Sequence, residues 1–174
     1  MSTRFRTRAL AAIFAVTTGA LALIATPAQA GPRDDPDRSC WLNADTSVVQ
    51  CFADEEELVD AVTDTGRVLI EGGTAARLPA GLRALFVLTR FYDGGGYTSG
   101  TFVVTSASST TCVSGSVSGD LTGFNDKVSS FHSYYGCQTK IFANTGSSGA
   151  SFGLIADAAS VGALDNLASS FLIT

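Results

Sequence analysis

One six-residue pattern occurs twice in this sequence, forty positions apart. The first copy is Asn125-Asp126-Lys127-Val128-Ser129-Ser130, followed by Phe131, and the second is Asp165-Asn166-Leu167-Ala168-Ser169-Ser170, followed by Phe171. Each copy has two Asp/Asn residues, two variable positions, a Ser-Ser pair and then Phe. Oxygen-bearing side chains at that density suit a hard cation such as calcium, which takes six to eight oxygen ligands. A single copy in so Ser-rich a segment reads as an Asx or Ser/Thr turn. Two copies with the same trailing Phe imply a repeated structural unit.

A second repeat lies upstream. Tyr92-Asp93-Gly94-Gly95-Gly96-Tyr97-Thr98-Ser99-Gly100-Thr101-Phe102 and Phe142-Ala143-Asn144-Thr145-Gly146-Ser147-Ser148-Gly149-Ala150-Ser151-Phe152 both place aromatic residues ten positions apart, with Gly96 and Gly146 at equal offsets. Leu85 to Tyr92 reads as a strand, and Thr101 to Thr105 alternates apolar and hydroxyl residues as a half-buried strand should. After Phe152 the alternation continues through Leu154 and Ala156.

Together these features resemble the microbial βγ-crystallin family, whose calcium motif, (Asp/Asn)-(Asp/Asn)-x-x-(Ser/Thr)-Ser, occurs once per Greek key. That family's first hairpin carries an aromatic residue, four residues, an aromatic residue, one residue and Gly. Here the first copy keeps Tyr92 and Tyr97 but has Ser99 in place of Gly, and the second keeps Phe142 and Gly149 but has Ser147 in place of the second aromatic. The family's tryptophans are missing too, since the single Trp is Trp41, outside the repeat. The resemblance covers residues 84–174. It implies a mainly β fold, a two-Greek-key β-sandwich with key one at about 84–137 and key two at about 138–174, and Phe131 and Phe171 in equivalent core positions.

The resemblance also implies a ligand set for calcium. One site would use the Lys127 carbonyl, the Ser129 hydroxyl and the Asn166 side chain from the partner key. The other would use the Leu167 carbonyl, the Ser169 hydroxyl and the Asp126 side chain. The backbone carbonyls of Asp93 and Ala143, just after each hairpin aromatic, would add a ligand each, and Asn125 and Asp165 would brace the loops. One site receives a carboxylate and the other an amide, so the Asp126-fed site is expected to be the tighter.

The repeat is unequal. Hairpins are fifty residues apart and motifs forty, so key one holds ten extra residues, placed by their Ser/Thr/Gly composition within residues 106–119. That stretch contains Cys112. Four cysteines, Cys40, Cys51, Cys112 and Cys137, make disulfides the expectation in an exported chain. Of three connectivities, Cys40–Cys51 with Cys112–Cys137 is favoured because each pair stays within one structural unit. Zinc is the alternative, against which stand a single His and no Cys-x-x-Cys.

Residues 40–79 read as a small N-terminal unit, packed on a main domain that spans 80–174. Cys40-Trp41-Leu42 and Val48-Val49-Gln50-Cys51-Phe52 form a hairpin closed by the Cys40–Cys51 bridge. Asp54 then caps a short helix with Glu57 completing a capping box, and Gly66 ends it in the left-handed conformation. Its acidic first turn matches the helix dipole, a better account of Asp54-Glu55-Glu56-Glu57 than a metal site. Arg67 to Glu71 is a further strand.

Residues 1–30 read as a signal peptide: Arg4, Arg6 and Arg8, an apolar run, then Ala28-Gln29-Ala30. Residues 31–39 are a charged, disordered lead-in. Cleavage removes three of eleven Lys/Arg and none of sixteen Asp/Glu, leaving a formal net charge of −8. That charge disfavours nucleic acid and anionic membrane as partners. The expected product is a secreted monomer.

Enzyme motifs are absent from the sequence. His132, the single histidine, reads as structural, with a Ser-His-Asp triad as the alternative. Three function classes remain: a secreted calcium-binding protein stabilised by Ca²⁺, an inhibitor of an extracellular protease (metalloproteinase inhibitors resemble the same fold), and a cell-surface interaction module.

Overall fold

The computed structural model describes residues 37–73 and 78–174. The expected signal peptide and most of the lead-in lie outside the described residues. In chain order the elements are β1 (Ser39–Asn43), β2 (Val48–Phe52), α1 (Glu55–Asp64), β3 (Arg67–Ile70), β4 (Arg83–Gly94) and β5 (Thr98–Ser106). A helical turn, α2 (Thr111–Ser114), precedes β6 (Val117–Asp120), β7 (Ser130–Ser133), β8 (Thr139–Asn144), β9 (Ser148–Ile155) and β10 (Asp157–Ala158). A 3-10 turn (Gly162–Leu164) and β11 (Ser170–Ile173) close the chain.

Two sheets pack face to face. The larger has the order β10-β7-β4-β5-β1-β2, with β3 also paired to β4, and the smaller has the order β6-β11-β8-β9. Key one (β4, β5, β6, β7) gives β6 to the smaller sheet, and key two (β8, β9, β10, β11) gives β10 to the larger. Each key therefore lends one strand to the other's sheet. This exchange defines a two-Greek-key sandwich and leaves neither key with a sheet of its own.

The core between the sheets is aromatic. Phe91, Phe102, Phe124, Phe131 and Phe171 are fully buried. Phe91 lies at the centre, its ring 6.2 Å from Phe102, 6.0 Å from Phe131 and 5.4 Å from Phe171. Tilted and edge-on contacts at these spacings suit the ring quadrupoles. At one end of the core Thr89, Ser133 and Thr139 form a buried hydroxyl triad, which joins β4 and β7 of one sheet to β8 of the other. Satisfying one another, these groups avoid the penalty of a buried unpaired hydroxyl.

Residues 39–70 extend the larger sheet. β1 runs parallel to β5, with Cys40 opposite Phe102 and Leu42 opposite Val104, while β3 runs parallel to β4. Both expected disulfides form, Cys40–Cys51 and Cys112–Cys137. Cys40 and Cys51 are opposed in the β1–β2 register, and Cys40 is buried in the main core rather than only closing its own hairpin. A Cβ on Gly123 would approach the Cys51 sulfur to 2.5 Å, so the bridge packs tightly on the loop that leads into the first motif.

Helix α1 follows the expected chemistry. Asp54 accepts from the Glu57 N–H at 2.9 Å, and Glu57 reaches back to accept from the Ala53 N–H at 2.8 Å, one residue before the cap. Gly66 has φ +72° beyond its C-terminus. The helix lays Leu58 and Val62 over the outer face of the larger sheet, against Trp41, Leu85, Val87 and Val103. This second cluster explains why both faces of β5 are apolar: both are covered. Arg90 closes the cluster's rim, pairing with Glu55 at 2.5 Å and also with Glu71. Burial works against its charge, but Glu71 and then Glu55 outweigh that and hold its pKa above the ordinary value. Tyr134 donates to Glu71 at 3.1 Å, and burial followed by the Glu71 charge pushes its phenol upward. Among the described residues no helix is long and apolar enough to cross a membrane.

The ten extra residues of key one occupy 107–116, between β5 and β6, where they form the loop and helical turn tied by Cys112–Cys137. The 106–119 stretch, long enough for a longer hairpin or a surface loop, ends in a strand at Val117–Asp120. Its pairing with β11, Ser118 opposite Leu172 and Gly119 opposite Phe171, supplies what a Val-Ser-Gly-Asp sequence lacks in propensity.

Because β1 shares a sheet with β5, residues 39–174 should unfold as one unit. Trp41 is 6 % exposed and donates its Nε1–H to Thr105 at 2.7 Å, so its fluorescence reports the β1–β5 seam. Trp41 emission and far-UV circular dichroism should give coincident denaturation midpoints. An earlier Trp41 transition would mean that the N-terminal strands detach first.

Candidate metal centre

The two motifs meet across the interface between the keys. The Asp126 N–H donates to the Ala168 carbonyl at 3.0 Å, and the Asn166 N–H donates to the Val128 carbonyl at 3.1 Å. A second reciprocal pair follows, from Leu121 N–H to Ser169 carbonyl at 2.9 Å and from Val161 N–H to Ser129 carbonyl at 3.0 Å. Each motif is thus fastened to the other by main-chain bonds related by the pseudo-two-fold of the keys.

Within each key the motif is also fastened to its own hairpin. The Ser129 N–H donates to the Tyr92 carbonyl at 2.8 Å, and the Ser169 N–H donates to the Phe142 carbonyl at 2.9 Å. The next serine does more. Ser130 Oγ donates to the Gly94 carbonyl at 2.6 Å and accepts from the Tyr97 N–H at 3.0 Å. Ser170 Oγ repeats this with the Asn144 carbonyl at 2.5 Å and the Ser147 N–H at 2.9 Å. Both serines are fully buried. Sequence alone does not assign Ser130 and Ser170 to the site. Their signal is present as the second Ser of each Ser-Ser pair, and their role is to pin the hairpin that presents the Asp93 and Ala143 carbonyls.

The backbone explains the Asp/Asn requirement in part. Asp126 has φ +57° and Asn166 φ +54°, in the left-handed region that Asn and Asp tolerate better than other side chains. The hairpins repeat this habit: Tyr97 at +65° matches Ser147 at +57°, and Ser99 at +67° matches Gly149 at +80°. Ser99 therefore adopts the conformation for which the family pattern has Gly.

Asn125, Asp126, Asp165 and Asn166 are exposed at the loop tips, and Ser129 and Ser169 lie beneath them at 6 % and 8 % exposure. Asn125 donates its amide to the Asp126 carboxylate at 2.7 Å, and the Asp165 N–H closes the 3-10 turn on the Gly162 carbonyl at 3.1 Å. Ser169 Oγ lies 2.8 Å from the Ala143 carbonyl oxygen. Lys127 directs its ammonium to the Asp93 carboxylate at 3.3 Å. Leu167 is exposed.

Do these residues fit calcium? None of the described main-chain hydrogen bonds outside the sheet ladders ends on the carbonyl of Lys127 or Leu167. The Ser169 hydroxyl donates to the Ala143 carbonyl at 2.8 Å, so two of the expected oxygen donors of one site lie side by side. The donors are carbonyl, hydroxyl, amide and a single carboxylate. Among the described residues no three His, Cys, Asp or Glu side chains form a metal-binding group, so a transition metal has no nitrogen or sulfur cage here. The oxygen set fits a hard cation held loosely.

No family model matches the sequence, and no curated protein matches it. Solved structures do. The N-terminal domain of Protein S is 15 % identical, over 50 % of this chain and 94 % of that one, at a TM-score of 0.41. A βγ-crystallin domain from Clostridium beijerinckii is 16 % identical over 49 % and 95 %, at 0.40. Another, from Flavobacterium johnsoniae, is 16 % identical over 50 % and 93 %, at 0.38. The strand exchange and the paired motif loops give this chain a βγ-crystallin-like fold.

His132 lies off this centre, on the outer face of the larger sheet. Its Nδ1 pairs with Asp157 across β7 and β10, and its ring makes edge contacts with Tyr97 and Tyr134. Tyr135 packs edge-on against Phe86 at 5.4 Å and donates to the Ile70 carbonyl.

Substitutions at two positions separate backbone from ligand roles. Asn166→Gly keeps the left-handed turn and should leave the calcium-free stability nearly unchanged, while Asn166→Val should cost about 1–2 kcal/mol in denaturant melts. Ser130→Ala removes the partner of the Tyr97 N–H and of the Gly94 carbonyl, two part-buried hydrogen bonds, and should cost about 1–2 kcal/mol with or without calcium.

Proposed function

We propose that this is a secreted calcium-binding protein in which Ca²⁺, held at two sites between the keys, stabilises the fold. The observation that carries the reading is the reciprocal fastening of the motifs, Asp126 to Ala168 and Asn166 to Val128, which sets the second Asp/Asn of each motif against the residue that precedes the other's Ser-Ser pair. One site takes the carbonyls of Asp93 and Lys127, Ser129 Oγ and the Asn166 side chain. The other takes the carbonyls of Ala143 and Leu167, Ser169 Oγ and the Asp126 carboxylate. A bound ion ties hairpin and motif of one key to the motif of the other. Unfolding scatters these ligands, so the ion favours the folded state by mass action.

So few carboxylates place affinity in the weak range, about 10⁻⁵ to 10⁻³ M, filled at the millimolar calcium found outside cells. A site with a dissociation constant of about 0.1 mM adds about 2.7 kcal/mol at about 10 mM calcium. Calorimetry on residues 31–174 should resolve two binding events. Asp126→Ala should weaken the tighter and Ser129→Ala the weaker, and calcium should raise the melting temperature of the wild type. No heat and no thermal shift would leave the motifs as turn formers only.

A second reading, inhibition of an extracellular metalloprotease, is favoured by one observation. Val113 is 80 % exposed on the 107–116 loop that Cys112–Cys137 holds to the body. A disulfide-held loop presenting an apolar side chain loses little entropy on docking. If this reading holds, Val113→Asp abolishes inhibition in a protease panel and leaves calcium binding intact.

A further inference from the structure

The two motifs match position by position in burial except at the third residue. Lys127 is partly buried, and its counterpart Leu167 is 53 % exposed. The Lys127 ammonium lies 3.3 Å from the Asp93 carboxylate, with side-chain exposures of only 18 % and 17 %. In key two the same two positions are Leu167 and Ala143, where no charge pair can form. We propose that Lys127 is a tethered cation that lowers the calcium affinity of the Ser129 site and holds that site together when calcium is absent. The inference rests on the calcium reading proposed for the two motifs.

The position of the pair has two physical consequences. Asp93 belongs to the hairpin that presents one expected carbonyl ligand, and Lys127 belongs to the motif loop that presents another. The ion pair therefore joins the two pieces of chain that a calcium ion would join in that site. Its ammonium also repels an incoming divalent cation and offsets the Asp93 carboxylate that would attract it. Key one thus has calcium-free order built in at the expense of affinity, and key two has neither the pair nor the handicap. The Ser169 site should fill first, because it has the Asp126 carboxylate and no opposing ammonium.

The test is Lys127→Leu, which installs the residue key two already uses, made in residues 31–174 beside Lys127→Met, which keeps most of the aliphatic stem. In EDTA both variants should melt about 2–4 °C below the wild type, the loss expected for one partly buried ion pair in a chain of this size. In calcium titrations the weaker of the two constants should tighten about tenfold, roughly what removing a unit charge about 6 Å from a divalent ion gives in a water-like dielectric. The tighter constant should stay put. Asp93→Asn should move the weaker constant the other way. A purely structural pair would lower the melting temperature without touching either constant, and that result overturns the proposal, as does an equal change at both sites. If the wild type binds no calcium at all, the calcium reading fails and takes this inference with it. Two wild-type binding events unmoved by either Lys127 variant sink this inference alone.

Discussion

The structure depends on four main-chain hydrogen bonds that cross between the keys at the motif loops. Asp126 and Asn166 donate to Ala168 and Val128, and Leu121 and Val161 donate to Ser169 and Ser129. The acceptors Val128, Ser129, Ala168 and Ser169 are buried, and a buried peptide group left unpaired costs as much as a lost hydrogen bond, so each key supplies the other's donors. The left-handed turns at Asp126 and Asn166 do the aiming. Each key then completes the other's loop as well as its sheet, and the aromatic core around Phe91 closes only when both are in place. A single key would leave one face of that core, and half of these donors, open.

Whether an element was legible in the sequence depends on what holds it in place. The motif copies, the hairpins, the helix cap at Asp54 and both disulfides were readable because each is set by local chemistry: turn-forming side chains, aromatic spacing, a capping carboxylate, cysteine pairs within units. The exchanged strands β6 and β10 were not. Val117-Ser118-Gly119-Asp120 and Asp157-Ala158 have almost no strand propensity of their own and become strands by pairing with β11 and β7. The helical turn Thr111–Ser114 was missed for the same reason, since its place is fixed by the Cys112 bridge rather than by a periodic apolar face. The pairing of the two motif loops was legible from their repeat, whereas the pinning role of Ser130 and Ser170 depends on where the hairpin folds back. Sequence distance hides that contact: Ser130 meets Gly94 across thirty-six positions.

The N-terminal strands break the symmetry of the two keys. In key one the free edge of β5 is taken by β1, and the outer sheet face is covered by α1, Trp41 and the Arg90 pairs. In key two the equivalent strand, β9, stays at the edge. Compositions agree with these positions. β5 is apolar on both faces around Phe102, Val103 and Val104, whereas β9 is Ser/Gly-rich and almost wholly exposed, with a shift of register near Thr139 and Lys140. Such irregularity, with small residues, blunts an edge that would otherwise invite pairing with another chain. The hairpins also differ in side chain, Tyr97 against Ser147. Tyr97 packs edge-on against Tyr92 and His132 of its own key.

Symmetry in the backbone and asymmetry in charge together decide what a cation can do here. The main chain builds the same cradle twice, from carbonyls and a hydroxyl that carry no formal charge, so the cradle's shape costs nothing in electrostatic repulsion when it stands empty. Strongly carboxylated sites lack that freedom, because their like charges repel until an ion arrives. On the calcium reading proposed above, such a neutral cradle would fold without the ion and gain stability with it, according to the charges placed around it. Asp126 on one side and the Asp93–Lys127 pair on the other are those charges. They can differ between the keys without disturbing the fold, because the hydrogen bonds that build the cradle run through peptide groups and through serines that both keys share.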